Sequence, residues 1–487
     1  MIANYIGQLW VAAMSFAFVP FYIKVLGVEA YGVIGFFAIL LAGMAVLDAG
    51  VSPVLNREVA LYASEKKNNV SRLLRSLEII GLGGVLLLLG VMFLGSDWIA
   101  VGWLNSTRVS TETIQLSVYS MAGVVSFRFF ESLYKSVLSG LQKQVLLNGV
   151  NIALSTLRNA GAAGILLINS TTLVHFFLWQ LVVSVFSVFI YLLVVYRELS
   201  MWRVSFELDY LYLKKVRVFV FGAMSAALLA FFLSQTDKIL LSYSLELADF
   251  SYYAIAAAAA GALSMLAGPV SQAIYPHLVS IDVLSERVRV YRKACRLITL
   301  VVVPVAGVII FFPVEVLYGW SGDRILARNV HLLLSILAAG NLFSVLMVLP
   351  FMLEYVSGRV SLVVKANLFA LFAFSIYLFL FVPLYGGVGA AWGWLLLNLS
   401  YFLLMGWVTH RGFLLQDKLG WYFFDVGLPC FIVAATCAIF DWFDFSVQED
   451  RWGGVLVISL AWLWSAFLVF LSFFTGRLAS SRLLLNK

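Results

Sequence analysis

Six ionisable residues sit where an apolar sequence should carry none. Arg128, Glu131 and Lys135 fall at i, i+3 and i+7 of one long apolar stretch, which puts them on a single helical face. Arg158 lies near the middle of the next stretch, and the two are joined by the short polar turn Gly140-Leu141-Gln142-Lys143-Gln144. Asp237 and Lys238 are adjacent inside a third, in Ser234-Gln235-Thr236-Asp237-Lys238. Each stretch is long enough to cross a bilayer, which takes about 20 helical residues. A charge at the bilayer centre costs roughly 2.5–3.5 kcal/mol on insertion scales, so such residues face a bundle interior or a wet cavity. Four bases against two acids leave positive charge in excess. A cavity of that kind lowers the energy of an anion and raises that of a cation, and Arg in particular holds phosphate in a bidentate fork. Plainer arrangements compete: Glu131 can neutralise Arg128 or Lys135 at helical spacing, and Lys135 and Lys238 can reach to the surface. Glu131 and Asp237 can serve as counter-ions, or take and release a proton as an ion-coupling device.

The elements that must position these charges are transmembrane helices. The chain of 487 residues is 63% hydrophobic and 12% charged, with mean hydropathy +0.99. A soluble protein carries about 25% charged residues. Runs of twenty-odd continuous apolar residues exclude the alternating pattern of an outer-membrane barrel, so the expected class is an all-α integral membrane protein. Hydropathy places about fourteen spans at 3–24, 31–50, 76–95, 114–138, 147–168, 173–196, 218–242, 250–275, 296–317, 330–352, 361–382, 388–409, 422–440 and 454–475. The first lacks a basic leader and has the length of a retained span.

Connections sort by charge. One set holds Arg57, Lys66, Lys67, Arg72 and Arg75, then Lys143, then Arg197, Arg203, Lys214, Lys215 and Arg217, and continues through Arg287–Arg296, Arg359, Arg411, Lys418 and the tail to Lys487. The alternate set holds only Lys24, Arg108, Arg324, Arg328 and Arg451, and its last loop is acidic, with Asp441, Asp444, Glu449 and Asp450. By the positive-inside rule both termini face the cytoplasm, so the net charge of +7 reads as topology and not as a nucleic-acid partner. The alternate loops are short, the longest being 96–113, which leaves no external catalytic domain. No P-loop, HExxH, GxSxG or metal-spaced His/Cys cluster occurs, and the four histidines are scattered at span edges. The expectation is no enzyme, no cofactor and no metal. Cys295, Cys430 and Cys437 read as buried small hydrophobes.

At the inner end of the second span, Leu47-Asp48-Ala49-Gly50-Val51-Ser52-Pro53 reads as a helix break. Ser52 would cap, and Pro53 begin, a second helix from Val54 to about Ser64 along the cytoplasmic face. Asp48 and Arg57, with Lys135, then belong to a lumen or inner gate, or to an anchored connector. Similar span lengths in 1–6 and 7–12 suggest a six-plus-six repeat, a known transporter plan with the substrate between halves. The expected divisions are 1–200, 201–412, and 413–487 for an extra helix pair and tail.

Asn4-Tyr5-Ile6-Gly7-Gln8 and Pro20-Phe21-Tyr22-Ile23-Lys24-Val25-Leu26-Gly27-Val28-Glu29-Ala30-Tyr31-Gly32 resemble the opening of bacterial O-antigen flippases (Wzx). These belong to the polysaccharide-transport branch of the multidrug/oligosaccharidyl-lipid/polysaccharide (MOP) exporter superfamily. Leu47-Asp48-x-Gly50-x-Ser52-Pro53-x-Leu55-x-Arg57-Glu58, Leu138-x-Gly140-Leu141-Gln142 and Asp237-Lys238 are similar too. A basic run ahead of Asn4 is missing. The resemblance implies two six-helix lobes around a central cationic lumen, here Arg128, Arg158 and Lys238. It also implies translocation of an undecaprenyl-pyrophosphate-linked glycan to the outer leaflet of the bacterial inner membrane, by alternating access. A polysaccharide polymerase and chain-length regulator are the implied partners, with membrane lipids around the tail. Spans 13 and 14 exceed the usual twelve and resemble the lipid II flippase, where an extra pair accommodates the lipid tail. The alternatives are a lipid II-type flippase and a multidrug (MATE-like) exporter, which would want excess carboxylate for organic cations. A scramblase-like scaffold would not need mid-membrane Arg.

The charge sorting predicts that alkaline phosphatase fused after Lys487 is inactive while the same reporter inserted within 443–450 is active. The reverse pattern would overturn the assigned orientation.

Overall fold

The computed structural model describes residues 2–62, 67–168, 172–199, 210–414, 418–442 and 451–485. The loop charges Lys66, Arg203, Asp444, Glu449, Asp450 and Lys487 lie outside these ranges. By contact the chain groups into two compact units, Met1–Ser251 and Tyr252–Lys487.

The first unit contains α1 (Ile2–Ala17), α2 (Val19–Leu26), α3 (Val28–Tyr62), α4 (Lys67–Trp98), α5 (Thr111–Gly140), α6 (Gln144–Ile168), α7 (Leu173–Leu199) and α8 (Tyr210–Ser244), with the start of α9 (Leu247–Ser280). Long apolar runs without water must satisfy their backbone internally, so helix is the only outcome open to them. α5 is the hub: it packs on α3, α4 and α7, and α8 lies along α3. Leu55, Leu73, Leu74, Leu133, Val137 and Val195 form the interior where α3, α4, α5 and α7 meet. Beside it, Arg75 pairs with Glu78 at 3.0 Å, and the hydroxyls of Tyr134 and Tyr196 donate to the same carboxylate at 2.9 and 3.0 Å. That network ties α4 to α5 and α7.

α3 corrects one expectation. Instead of breaking at Ser52-Pro53 it runs as a single helix of 35 residues through Pro53. Ser52 does not cap a new helix; its hydroxyl, with that of Ser132 on α5, donates to Asp48. Neighbouring helices hold the chain on either side of the proline, which membrane helices tolerate for that reason. Farther along the same seam Asn56 Nδ2 donates to Ser139 Oγ at 3.1 Å. The α5–α6 turn follows, tight enough to place Gln142 in the left-handed region (φ 58°).

The 104–110 loop is tied down as well. Glu29 Oε1 accepts from Ser106 Oγ and Thr107 N at 2.6 Å, and the Leu247 amide donates to the Asn105 carbonyl at 2.8 Å.

The second unit holds the rest of α9, then α10 (Leu284–Phe311), α11 (Pro313–Ser321), α12 (Arg324–Leu346), α13 (Val348–Val356), α14 (Val360–Ser400), α15 (Gly406–Phe413), α16 (Lys418–Gly420), α17 (Leu428–Trp442) and α18 (Arg451–Leu485). π-helical turns join α14 to α15 and α16 to α17. α17 and α18 pack on α10. The segment leading into α17 is pinned to α10 by Asp425, fully buried, which accepts from Arg292 and Arg296 at 2.7 Å each.

Twelve stretches of the described residues are long and apolar enough to cross a membrane. One of them, Val360–Phe413, is two spans, because α14 turns at Gly386 with φ 55° and ψ −136°. α5, thirty residues long, is a further span whose charges depress its hydropathy. With these the count returns to fourteen. The protein is an all-α, multi-pass membrane protein.

The close approach of α3 and α5 makes a test. A Cβ at Gly140 would lie 2.7 Å from the Asn56 carbonyl oxygen and 2.7 Å from Val59 Cβ. Forcing extra atoms into such a contact costs about 1–3 kcal/mol, so Gly140→Val should lower the melting temperature of the detergent-solubilised protein. An unchanged melt would mean the two helices do not meet there.

Candidate functional site

The charges on α5 and α6 converge on one carboxylate. Glu131 is 2% exposed and has three cations around it. Arg128 Nη1 stands 3.5 Å from Oε1, Lys135 Nζ 2.5 Å from Oε1, and Arg158 Nη2 3.4 Å from Oε2. Helical spacing delivers the first two, since i−3 and i+4 neighbours share a face. The α5–α6 turn delivers the third. α7 holds Arg158 from the other side, with Ser187 Oγ accepting at 3.4 Å. Lys135 Nζ also sits 5.4 Å from the centre of the Tyr191 ring, and Tyr191 in turn donates to Asn151 Oδ1 at 2.9 Å.

Arg128, Glu131, Lys135, Asn151 and Arg158 line a cavity of about 280 Å³ inside the first unit. Its polar wall is Arg128, Glu131, Lys135, Asn151, Ser155, Arg158, Asn159 and Gln180; Tyr22, Phe37, Leu41 and Phe176 supply much of the rest. The Tyr22 hydroxyl is anchored on the Asn159 carbonyl at 2.9 Å, and its ring meets Phe176 edge-on at 5.0 Å. Three positive groups face one negative group here. A guanidinium has five N–H donors, so one shared carboxylate cannot satisfy two arginines and a lysine. Nε of Arg128 and Nε of Arg158 are buried and have no partner among the described residues. The wall therefore retains both charge and donors for an anion.

Of the residues marked in the sequence, Arg128, Glu131, Lys135 and Arg158 come together. Asp237 and Lys238 do not join them: they pair with each other on α8 at 3.2 Å, Lys238 also donates to the Ser234 carbonyl at 2.9 Å, and neither lines the cavity. Asp48 lies in the α3–α5 seam already described, and Arg57 is exposed. Asn151, Asn159, Gln180 and Tyr22 went unmarked. For α6 a signal existed: Asn151, Ser155, Arg158 and Asn159 repeat at three and four residues, a polar stripe on one face of an otherwise apolar helix.

Solved structures share this architecture. The lipid II flippase MurJ in its inward closed conformation superposes with a TM-score of 0.76 over 98% of this chain and 99% of that one, at 14% identity. A multidrug resistance MATE family transporter of the MOP superfamily, inward-facing, gives 0.59 over 84% of this chain and 98% of that one, at 12% identity. At such identities the likeness concerns the fold alone, a multi-pass bundle of helices. A protein of Shigella flexneri, named provisionally as an O-antigen transporter, is 24% identical over 392 residues, 79% of this chain and 91% of its own length. The chain belongs to the polysaccharide biosynthesis protein family, whose pattern residues 24–321 match. The Shigella flexneri protein and the MATE structure are named as transporters, and MurJ as a flippase.

Glu131→Gln keeps the shape and removes the shared charge. Taking one partner from a buried ion pair costs about 3–5 kcal/mol, so the variant should melt well below the wild type. Inorganic pyrophosphate should restore part of the loss by supplying the missing negative charge. Equal melting of both proteins, with and without pyrophosphate, would show that the carboxylate does not hold the cluster together.

Proposed function

We propose that the protein is a flippase for an undecaprenyl-diphosphate-linked glycan, the repeat unit of an O-antigen or another surface polysaccharide. It moves the headgroup from the cytoplasmic to the outer leaflet of the bacterial inner membrane by alternating access. The observation that carries this reading is the cavity wall in which Arg128, Lys135 and Arg158 share one acid. A diphosphate offers the geometry a guanidinium fork matches, and charge-assisted bonds of that kind contribute about 1.5–3 kcal/mol each. Ligand pockets run from about 300 to 1,000 Å³. A cavity near 280 Å³ therefore suits the diphosphate with little more than the sugar attached to it. Asn151, Asn159 and Gln180 are the groups available to that sugar's hydroxyls, and the polyprenyl chain stays in lipid. Glu131 acts as the standing counter-ion, and Asp237 does the same for Lys238.

A multidrug exporter for organic cations is disfavoured by the same wall, since its bases outnumber its acid. A lipid II-type flippase would use the same diphosphate chemistry, and the coverage of MurJ by this fold keeps that reading in second place. The family match to polysaccharide biosynthesis favours the surface glycan. Both termini are assigned to the cytoplasm, and a polysaccharide polymerase with its chain-length regulator would take the product on the far side.

The test replaces Arg128 and Arg158. Each Arg→Ala change should reduce glycan export by tenfold or more, a factor of ten being about 1.4 kcal/mol. The double variant should abolish surface polysaccharide while inserting normally. Arg→Lys should rescue partly, because it keeps the charge and loses the fork. Full export by the double alanine variant would dismiss the cavity as the diphosphate site.

A further inference from the structure

The first unit has a second hollow, on the opposite side of α3 from the charged cavity. Tyr31, Ile34, Phe37 and Leu41 of α3 line the cavity, whereas Phe36, Ile39, Leu40, Gly43 and Leu47 line a groove of about 790 Å³. α3 and α5 form its floor, and α4 and α8 its walls. α4 packs on α5 and α8 on α3, while the two walls scarcely touch each other. Small residues in a membrane helix ordinarily let a neighbouring helix approach closely. At Gly84, in the α4 wall, none does: a Cβ there would meet nothing within 4 Å.

The lining offers an occupant almost nothing polar. Its two serines are already bonded: Ser126 Oγ donates to the Ala122 carbonyl at 2.7 Å, and Ser242 Oγ accepts from Trp103 Nε1 at 3.0 Å and donates to the Ile239 carbonyl at 2.9 Å. Arg217 of α8 is the one charged residue of the lining. It is exposed, and no ion pair engages it among the described residues. Arg217 stands at the end assigned to the cytoplasm, with Lys214 exposed one turn before it; Trp98 and Trp103 line the far end.

The length of the groove selects the occupant. From Leu77 to Trp98 the α4 wall runs about 32 Å at the helical rise, the full depth of a hydrocarbon core about 30 Å thick. An acyl chain rooted in one leaflet ends near the midplane, about 15 Å down, and fills half of it. A cation at one mouth and apolar walls across the whole bilayer suit an amphiphile with an anionic head and a tail longer than a leaflet. A guanidinium matches a phosphate head in particular.

We propose that the groove between α4 and α8 binds a polyprenyl lipid with a phosphate or diphosphate head, the head on Arg217 and the chain running toward Trp98 and Trp103. The site stands on its own residues. Its use, holding the lipid-linked glycan beside the bundle before the head enters the charged cavity, rests on the flippase reading above.

The experiment uses the full-length protein in phosphatidylcholine nanodiscs, with undecaprenyl phosphate carrying a benzophenone in the far half of its chain. After illumination the labelled residues are mapped by mass spectrometry. The wild type should be labelled within 92–103 or 239–242, and excess unmodified undecaprenyl phosphate should remove the label. Arg217→Ala should lower the labelling about tenfold, the loss of one charge-assisted bond, and Arg217→Lys should restore part of it. Gly84→Leu should lower it as far with an unchanged melting temperature, because its Cβ displaces no neighbour. Wild-type labelling elsewhere, or equal labelling of the wild type, Arg217→Ala and Gly84→Leu, overturns the proposal. So does equal competition by phosphatidylglycerol, which would make the groove a phospholipid site. Proteoliposomes holding lipid-linked glycan separate the two readings. A wild type that is labelled in the groove but moves no glycan keeps the site and removes the flippase; one that moves glycan without labelling there keeps the flippase and removes the site.

Discussion

The structure of the first unit depends on a single carboxylate shared by three cations where water is scarce. Two unit charges about 4 Å apart interact by about 4 kcal/mol at an effective dielectric of 20. Without Glu131, Arg128, Lys135 and Arg158 would share one wall with no counter-charge between them. With it they can be held in one wall. The helices have to satisfy this constraint in detail. Two of the cations need only the pitch of α5. The third needs α6 to return antiparallel beside α5, hence the abrupt turn at Leu141-Gln142-Lys143 and the pressing of Gly140 onto α3.

The same carboxylate accounts for the sign of the charge left on the cavity wall. One acid is enough to assemble the wall and too little to neutralise it. Excess base alone does not make a site: at Asp425 two arginines also share one buried carboxylate, and there they lock α10 to the segment preceding α17. The difference lies in what surrounds each cluster. Asp425 closes a helix contact, whereas Arg128, Lys135 and Arg158 face a hollow lined by amides and phenols. Excess charge facing a hollow is a demand for a ligand.

Much of this was legible before the fold was known, and the failures have physical causes. The α5 charges could be read because helical spacing alone brings Arg128 and Lys135 to Glu131. Arg158 could be read as buried, though its partner could not, since pairing across α5 and α6 is set by tertiary register. The span count survived because apolar length is a property of the chain; Gly386 and the charges of α5 obscure it only locally. Pro53 misled because the rule that proline ends a helix assumes water on the far side. Here α3 continues through Pro53 while packed against α5 and α8. Lys238 looked equivalent to Arg158 by depth alone, but depth does not say which face a residue occupies, and Asp237 beside it already supplies a counter-charge.

In a medium that solvates ions poorly, a protein charge lacking a fixed partner specifies a mobile one. Bases in excess on α5 and α6 therefore specify an anion. On the proposed reading that anion is a diphosphate leaving a cytoplasm that is electrically negative, so the transmembrane potential assists its movement by about 2.3 kcal/mol per charge per 100 mV. The cost that the protein itself must meet is then the desolvation of the headgroup, and the guanidinium donors of Arg128 and Arg158 left without partners beside the hollow are the groups able to offset it.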